Sequence, residues 1–210
     1  MYRAAVFGLV LGACQSNVHT PFPPGLEPLE DNPVPVQDAP YSETLAIQSE
    51  TNDYMAVYGV GYVLLDPGTV WAMVKDPQAM IAVCSTTTQT ITPDDEPQYE
   101  FSFLVDYVVN NIVTVEWDDA WRYGTITGPQ AEPTLAMIKH QKTDGSSFIK
   151  LSEGTIELSP TPDDPNVTEV SIVEHLNAVG STIDDLVAGV NHTYASIVAV
   201  SHGNPVPACP

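Results

Sequence analysis

The clearest structural signal is carried by residues 181–203, STIDDLVAGVNHTYASIVAVSHG. Ser181 is a good N-cap residue with Asp184 three positions later, and Gly203 is a typical residue at which a helix stops. Between them the apolar residues recur at helical spacing and form one stripe: Ile183, Leu186, Val187, Val190, Tyr194, Ile197 and Val198. The stretch therefore predicts a long amphipathic helix near the C-terminus.

The chain before this helix predicts seven strands and two short helices. Residues 55–65 (MAVYGVGYVLL) are rich in β-branched and aromatic residues and predict the first strand. Asp66-Pro67 and Asp76-Pro77 each offer an N-cap acid followed by proline at the first helical position. Six further strand-like runs, separated by turn signals, follow at residues 84–91, 98–109, 112–123, 135–142, 147–158 and 167–177.

Three stretches in this order match a known pattern: residues 60–71, where a strand runs through a turn into Val70-Trp71, the strand 113–117, and residues 169–181, where the last strand enters the long helix. Together they resemble the helix-grip domains of the START-like SRPBCC superfamily, which includes lipid-transfer proteins, plant pollen-allergen-like proteins and polyketide cyclases. The resemblance spans roughly residues 50–203. It implies an α+β fold, a curved seven-stranded antiparallel sheet around the C-terminal helix with an apolar cavity between them. It does not imply one activity, because the fold hosts carriers, cyclases and oxygenase domains.

The first residues predict export and lipidation. Residues 1–13, MYRAAVFGLVLGA, have one positive residue, Arg3, before an apolar run that is too short to span a membrane. The following Leu11-Gly12-Ala13-Cys14 resembles the lipobox of bacterial lipoproteins, which implies a diacylated Cys14 and a place in the bacterial cell envelope, on the periplasmic or cell-surface side. The alternative is a plain signal peptide beside a chance cysteine.

Residues 14–40 are polar and dense in proline, a composition that favours extended conformers over a packed core. We therefore expect three parts: a lipoprotein signal peptide at 1–13, a lipidated proline-rich tether at 14–40 that acts as a stiff spacer, and a START-like domain at 41–210.

The charge of the chain excludes one class of partner. It has 6 Lys and Arg against 27 Asp and Glu, a net charge of −21, and removal of Arg3 with the signal peptide would leave 5 against 27, or −22. Such a surface repels nucleic acid, so no nucleic-acid partner is expected. The acidity could match a cationic partner or divalent ions, or it could serve solubility alone.

The cysteines predict one disulfide and no cofactor. With Cys14 lipidated, Cys84 and Cys209 remain as an even pair in an oxidising compartment. No CxxC, HExxH or calcium-loop spacing occurs in the sequence, so no metal site is predicted.

Strand parity and residue size predict a cavity between the first strand, the third strand and the C-terminal helix. Small residues on facing surfaces leave volume that larger side chains would fill, whereas the aromatic residues favour partial filling and a pocket of a few hundred Å³. The predicted ligand-binding residues are Gly59, Gly61, Phe101, Phe103, Tyr107, Glu174, Val190 and Tyr194.

Glu174 and Tyr107 are the residues that could carry chemistry. Glu174 shares the register of the apolar residues of the last strand, so it could act as a general acid or base, or it could be a strand-end acid that reaches solvent or pairs with Lys or Arg. Tyr107 could bind the polar end of a ligand or cap the core. His140, His175 and His192 are expected to be exposed because they lie opposite the more apolar faces.

Three functions remain open on the sequence alone. The first is a lipid-anchored protein that binds an apolar small molecule or lipid, and the second is a cyclase-like or hydrolytic enzyme that uses Glu174 or Tyr107. The third is a displayed structural or interaction domain with a filled interior. An empty interior separates the first two from the third.

Overall fold

A computed structural model describes residues 16–81, 84, 86–110 and 113–209 of the chain. The signal peptide and Cys14 lie outside these residues, so their boundaries stay predictions. The strands are β1 (Leu45–Thr51), β2 (Met55–Val63), β3 (Thr88–Pro93), β4 (Phe101–Asn110), β5 (Thr114–Thr127), β6 (Leu135–Gly145), β7 (Ile149–Pro160) and β8 (Thr168–Ala178). The helices are α1 (Pro67–Val74), α2 (Pro77–Met80) and α3 (Ile183–Ser201).

The strands form one antiparallel sheet in the order β1-β2-β8-β7-β6-β5-β4-β3. With α3 at the end of the chain, this confirms the predicted α+β helix-grip fold. The sheet has eight strands rather than seven, because β1 adds an edge strand beside β2. Its sequence, LAIQSET, becomes polar halfway along and lies half-buried to exposed, so it lacks the apolar alternation that marks the other strands.

The three helices pack on one face of the sheet, here called the inner face. α1 contributes Val70, Trp71 and Val74 to the core and α3 contributes Val190 and Ile197, all of them buried. Asp66 and Asp76 cap α1 and α2, each followed by proline in the first turn, as predicted. The inner face is therefore the apolar interior of the domain.

Residues 16–40 cover part of the opposite, outer face. Val34 is 5% exposed and packs in a second apolar cluster with Tyr58 and Tyr62. The side chain of Asn32 donates hydrogen bonds to the carbonyl oxygens of Gly59 (3.0 Å) and Ile172 (3.3 Å). Residues 16–40, predicted as part of a stiff spacer, thus lie against the sheet, because apolar and amide side chains between the prolines find partners there.

The capping of α3 differs by one residue from the prediction. Thr182 rather than Ser181 is the N-cap, and its side chain and that of Asp185 form a reciprocal capping box. Gly203, with a φ of 72°, follows the last turn as predicted. No helix within the described residues is long and apolar enough to cross a membrane.

Candidate functional site

One row of residues crosses the inner face over seven neighbouring strands. Backbone pairing from β2 to β3 sets side by side Val57, Glu174, Gly154, His140, Trp121, Phe103 and Pro93. Val57 and Phe103 belong to the apolar core, and paired residues of a sheet share a face, so Glu174 and His140 also point into the interior.

Asp119 and His140, which are buried, and Glu174, which is half-buried, form a group here called the acid–histidine cluster. Nε2 of His140 lies 3.0 Å from both carboxylate oxygens of Glu174, and Nδ1 lies 3.7 Å from Oδ2 of Asp119. His140 and Glu174 stand on strands separated by β7, and they meet over Gly154, where a Cβ would overlap both. The missing side chain of Gly154 therefore makes the contact possible.

The cluster holds His140 as a cation. Burial by itself lowers the pKa of His140, but the negative charge of Glu174 and the interactions with Asp119 outweigh it and raise the pKa to about 10. Asp119 Oδ1 and His140 Nδ1 have no hydrogen-bond partner among the described residues. A group with this pKa keeps its proton near neutral pH, so the cluster is suited to fixing a charge in the interior and poorly suited to general base catalysis.

Aromatic rings connect the cluster to the edge of the sheet. The ring of Trp121 stacks on His140 at 4.4 Å and 15°, and the ring of Phe103 stacks on Trp121 at 5.9 Å and 5°. Phe103 in turn forms part of an open cleft of about 380 Å³, here called the inner cleft. Its walls come from β3, β4, α2 and the β3–β4 connection and include Pro77, Ile91, Pro93, Tyr99 and Phe101.

A second open cleft of about 460 Å³ lies on the other side of Tyr99 and Glu100. It is lined by Gly25, Leu26 and the β5 residues Gly124, Thr125 and Ile126, among others, and its lining is more polar than that of the inner cleft. The inner cleft is therefore the better fit to an apolar ligand.

Among the predicted ligand-binding residues, Phe101 and Phe103 line the inner cleft, and Glu174 belongs to the acid–histidine cluster. Tyr107 is buried against Trp117 and donates a hydrogen bond to the carbonyl oxygen of Ile81 (3.3 Å). It therefore caps the core, which is one of the two roles considered for it.

The expected void at Gly59 and Gly61 is wrong, because α3 packs directly against these glycines. A Cβ at Gly61 would lie 2.5 Å from Cε2 of Tyr194, and one at Gly59 would lie 3.5 Å from Cγ1 of Val190. The Tyr194 hydroxyl donates a hydrogen bond to the carbonyl oxygen of Tyr62 (2.6 Å). The small residues thus allow close approach of helix and sheet.

The three histidines expected to be exposed are buried. His140 lies in the acid–histidine cluster, and His192 on α3 is 8% exposed. His175 does point to the outer face, but there it contacts Glu153 and Glu30, the latter from the N-terminal segment. The two strand histidines depart from the expectation in different ways: His175 lies on the expected face, which is covered, whereas His140 shares the inner face with Ala136 and Ile138.

Sequence reasoning also missed Asp119, Trp121 and Gly154. Trp121 and Asp119 share the parity of the apolar Tyr123 on β5, which is the one local signal that could have placed them inside. Nothing local indicates that Gly154 opens the space between β6 and β8, because that follows from the pairing of three strands.

Cys84 and Cys209 form a disulfide, as predicted, with a Cα–Cα distance of 5.3 Å. His192 approaches the same two sulfurs, and these three side chains make the one convergent group of potential metal ligands among the described residues. The sulfurs are joined to each other, so they are not available as thiolate ligands.

No protein-family model and no curated protein matches this chain. Similar solved structures include the lipid transfer and protein localization domain of human StarD13, at 10% identity and a TM-score of 0.50, covering 79% of this chain and 86% of that one. They also include the Zhui aromatase/cyclase from Streptomyces sp. R1128, at 12% identity and a TM-score of 0.45, covering 71% and 92%. The likeness to the human domain shows a shared fold and, at this identity, the fold alone.

Proposed function

We propose that this chain binds an apolar small molecule or lipid in the inner cleft, and that a lipid on Cys14 holds it in a bacterial cell envelope, outside the cytoplasm. The cleft carries the binding proposal. Its volume of about 380 Å³ matches the size of small-molecule sites, which run from about 300 to 1,000 Å³. Ile91, Phe101 and Phe103 give it an apolar wall that continues into the core.

The acid–histidine cluster favours binding over a cyclase-like reaction. Glu174, the acid considered for catalysis, is occupied by both of its contacts to Nε2 of His140. Because the pKa of His140 is about 10, this pair does not exchange a proton in the range where general acid–base catalysis operates best. We assign the cluster the role of an internal charge that orders the floor of the site through Trp121.

The interaction-domain alternative finds support in only one part of the interior. Tyr194, Val190 and the glycines of β2 leave no room where α3 crosses the sheet. The inner cleft lies at the other edge, between β3 and β4, where α2 covers the sheet with four residues only. A site for a ligand is therefore compatible with the close packing under α3.

A neutral fluorescent probe tests the cleft. N-phenyl-1-naphthylamine brightens in apolar surroundings and carries no charge that the acidic surface would repel. We expect saturable binding to the mature protein and loss of binding in Ile91→Trp, which fills the cleft. Val179→Trp, at an exposed position outside the cleft, is the matched control and should bind as the wild type does.

Equal probe binding by Ile91→Trp and the wild type would contradict the assignment to this cleft. Native mass spectrometry with lipid extraction, on the protein purified from its own host, would then identify the bound molecule. A protein that carries no ligand and binds no probe would favour the interaction domain.

A further inference from the structure

The first described residues enter the fold at one end of the sheet. The backbone N–H of Val18 donates to the carbonyl oxygen of Gly145 (2.8 Å), and that of Thr20 donates to Thr143 (2.8 Å). Ser147 N–H donates to the carbonyl oxygen of Ser16 (3.1 Å). Residues 16–20 therefore run beside the end of β6, and Ser16 lies at the turn between β6 and β7.

The segment beyond these residues stays attached to the outer face. The side chain of Gln141 donates to the carbonyl oxygen of Pro21 (3.3 Å), and Nζ of Lys139 donates to that of Glu27 (2.9 Å). Cζ of the Arg122 guanidinium lies 5.1 Å from the centre of the Phe22 ring, a cation–π contact, and Val34 is buried. These contacts hold the segment along the outer face, so Ser16 is kept close to the domain.

The turn that meets Ser16 belongs to one end of the sheet, here called the anchor end. Ile149 at the start of β7 pairs with Ala178 at the end of β8, and Thr51 pairs with Met55 at the tip of the β1–β2 hairpin. Trp117 pairs with Gly145, so the β4–β5 hairpin also projects from this end. Three of the exposed large apolar side chains lie here, namely Val18, Val113 and Val179.

The inner cleft lies at the opposite end. Phe101, in its wall, begins β4, and Asn110 ends β4 at the anchor end. Ten residues of strand at about 3.4 Å each put roughly 30 Å between the cleft and the anchor end.

We propose that the anchor end lies against the membrane, so that the inner cleft opens away from the bilayer into the aqueous compartment. The inference rests on lipidation of Cys14, which is part of the proposed function. Only two peptide units separate Cys14 from Ser16, a reach of about 7 Å. A lipid on Cys14 would thus hold the β6–β7 turn at the headgroups, and the ligand would be an apolar molecule taken from the aqueous side.

Charge does not supply this orientation. Asp53, Asp144, Asp184 and Asp185 lie at or near the anchor end and repel anionic headgroups. The short connection and the exposed valines determine the orientation, so zwitterionic phosphatidylcholine is the appropriate test membrane.

The test uses the full lipidated chain, with its disulfide oxidised, in phosphatidylcholine vesicles that carry a nitroxide quencher on the headgroups. A bimane fluorophore is attached to Val113→Cys at the anchor end or to Asp95→Cys at the rim of the cleft; both positions are exposed. We expect the label at 113 to lose most of its fluorescence and the label at 95 to lose almost none.

Two further variants separate the anchor from the orientation. Cys14→Ser should stay in the supernatant when vesicles are sedimented. A flexible Gly/Ser linker of about 20 residues inserted between Gln15 and Ser16, with an end-to-end distance of about 25 Å, should keep sedimentation but restore fluorescence at 113.

Each failure identifies a different error. If the wild type does not sediment with vesicles, the lipid anchor is wrong and the orientation falls with it. If the wild type sediments but both labels are quenched alike, or neither is, the anchor stands and the orientation is wrong.

Discussion

At the residue scale, the absence of a side chain at Gly154 is what assembles the acid–histidine cluster. His140 on β6 and Glu174 on β8 are separated by the width of β7, and neighbouring strands lie about 4.8 Å apart. The two side chains reach across that strand because a Cβ at Gly154 is missing from their path. The contact therefore places a charged histidine in a largely apolar interior.

The charge on His140 predicts a loss of stability at alkaline pH. The folded-state pKa is about 10 against an ordinary value of 6.5, so the stabilisation is complete below about pH 6.5 and is lost as the pH rises towards 10. We expect the free energy of unfolding to fall by up to about 1 kcal/mol per pH unit in this window. Urea unfolding at about pH 6.5, 8 and 9.5 measures the slope.

Glu174→Gln tests whether His140 causes this slope, because the substitution removes the charge that raises the pKa of His140 most. We expect a smaller slope and not a flat profile. The pKa of His175 is also raised, by hydrogen bonds with Glu153 and Glu30 that outweigh its burial, and it acts in the same direction. The pKa of Lys142 is lowered by burial and acts in the opposite direction. An unchanged slope in Glu174→Gln would show that the cluster does not hold the proton.

Gly61 is the second position where one missing side chain decides the packing. A Cβ there would lie 2.5 Å from Cε2 of Tyr194 and 3.0 Å from the carbonyl oxygen of Thr44. We expect Gly61→Leu to lower the free energy of unfolding by about 1–3 kcal/mol, because α3 would be pushed from the sheet. Thermal and urea unfolding measure the difference.

Gly189 provides the matched control on α3, since a Cβ there would meet nothing within 4 Å. Gly189→Ala should raise the free energy of unfolding by up to about 1 kcal/mol through helix propensity. If Gly61→Leu proved as stable as the wild type, room would have to exist between β2 and α3, and the enclosed cavity would again be tenable.

At the element scale, α3 is specified by its own sequence at both ends, through the Thr182–Asp185 capping box and Gly203. Its apolar stripe then selects the inner face of the sheet. No comparable capping or apolar pattern specifies where the tail beyond α3 lies. The disulfide to Cys84, after α2, attaches this tail over a sequence separation of 125 residues.

This cross-link predicts a large effect of reduction. Closing a loop of this length stabilises a protein by roughly 2–4 kcal/mol, mainly by restricting the unfolded chain. In a Cys14→Ser background, reductant should therefore lower the melting temperature. A variant that also carries Cys84→Ser and Cys209→Ser should have the lower melting temperature from the start, and reductant should not change it. Two free thiols found by alkylation of the oxidised, denatured protein would contradict the disulfide.

The N-terminal segment shows which of its structural properties its composition predicts and which it does not. Its prolines do keep it out of helices and regular strands, as expected. They do not keep it in solvent, because Asn32, Val34 and Phe22 make contacts between them.

At the scale of the whole molecule, the covering of both sheet faces explains why His175 is buried on the face opposite the core. α1, α2 and α3 cover the inner face, and residues 16–40 cover part of the outer face. A parity argument assumes one wet face, as in many antiparallel sheets. The net charge of −21 is carried mostly outside the core, and Asp119 is the one fully buried carboxylate among the described residues.

The amino-acid sequence by itself determined the order of the strands and helices from β2 onward, the caps of α1 and α2, the apolar face of α3 and the acidic surface. Each of these follows from periodicity, capping or composition within a short window. Only the tertiary structure decided that Glu174 meets His140, that Tyr194 fills the space at Gly61, and that residues 16–40 lie on the sheet. These three features depend on the pairing of strands that are far apart in the sequence and on the segments that pack against them. A local sequence pattern does not report this pairing or packing.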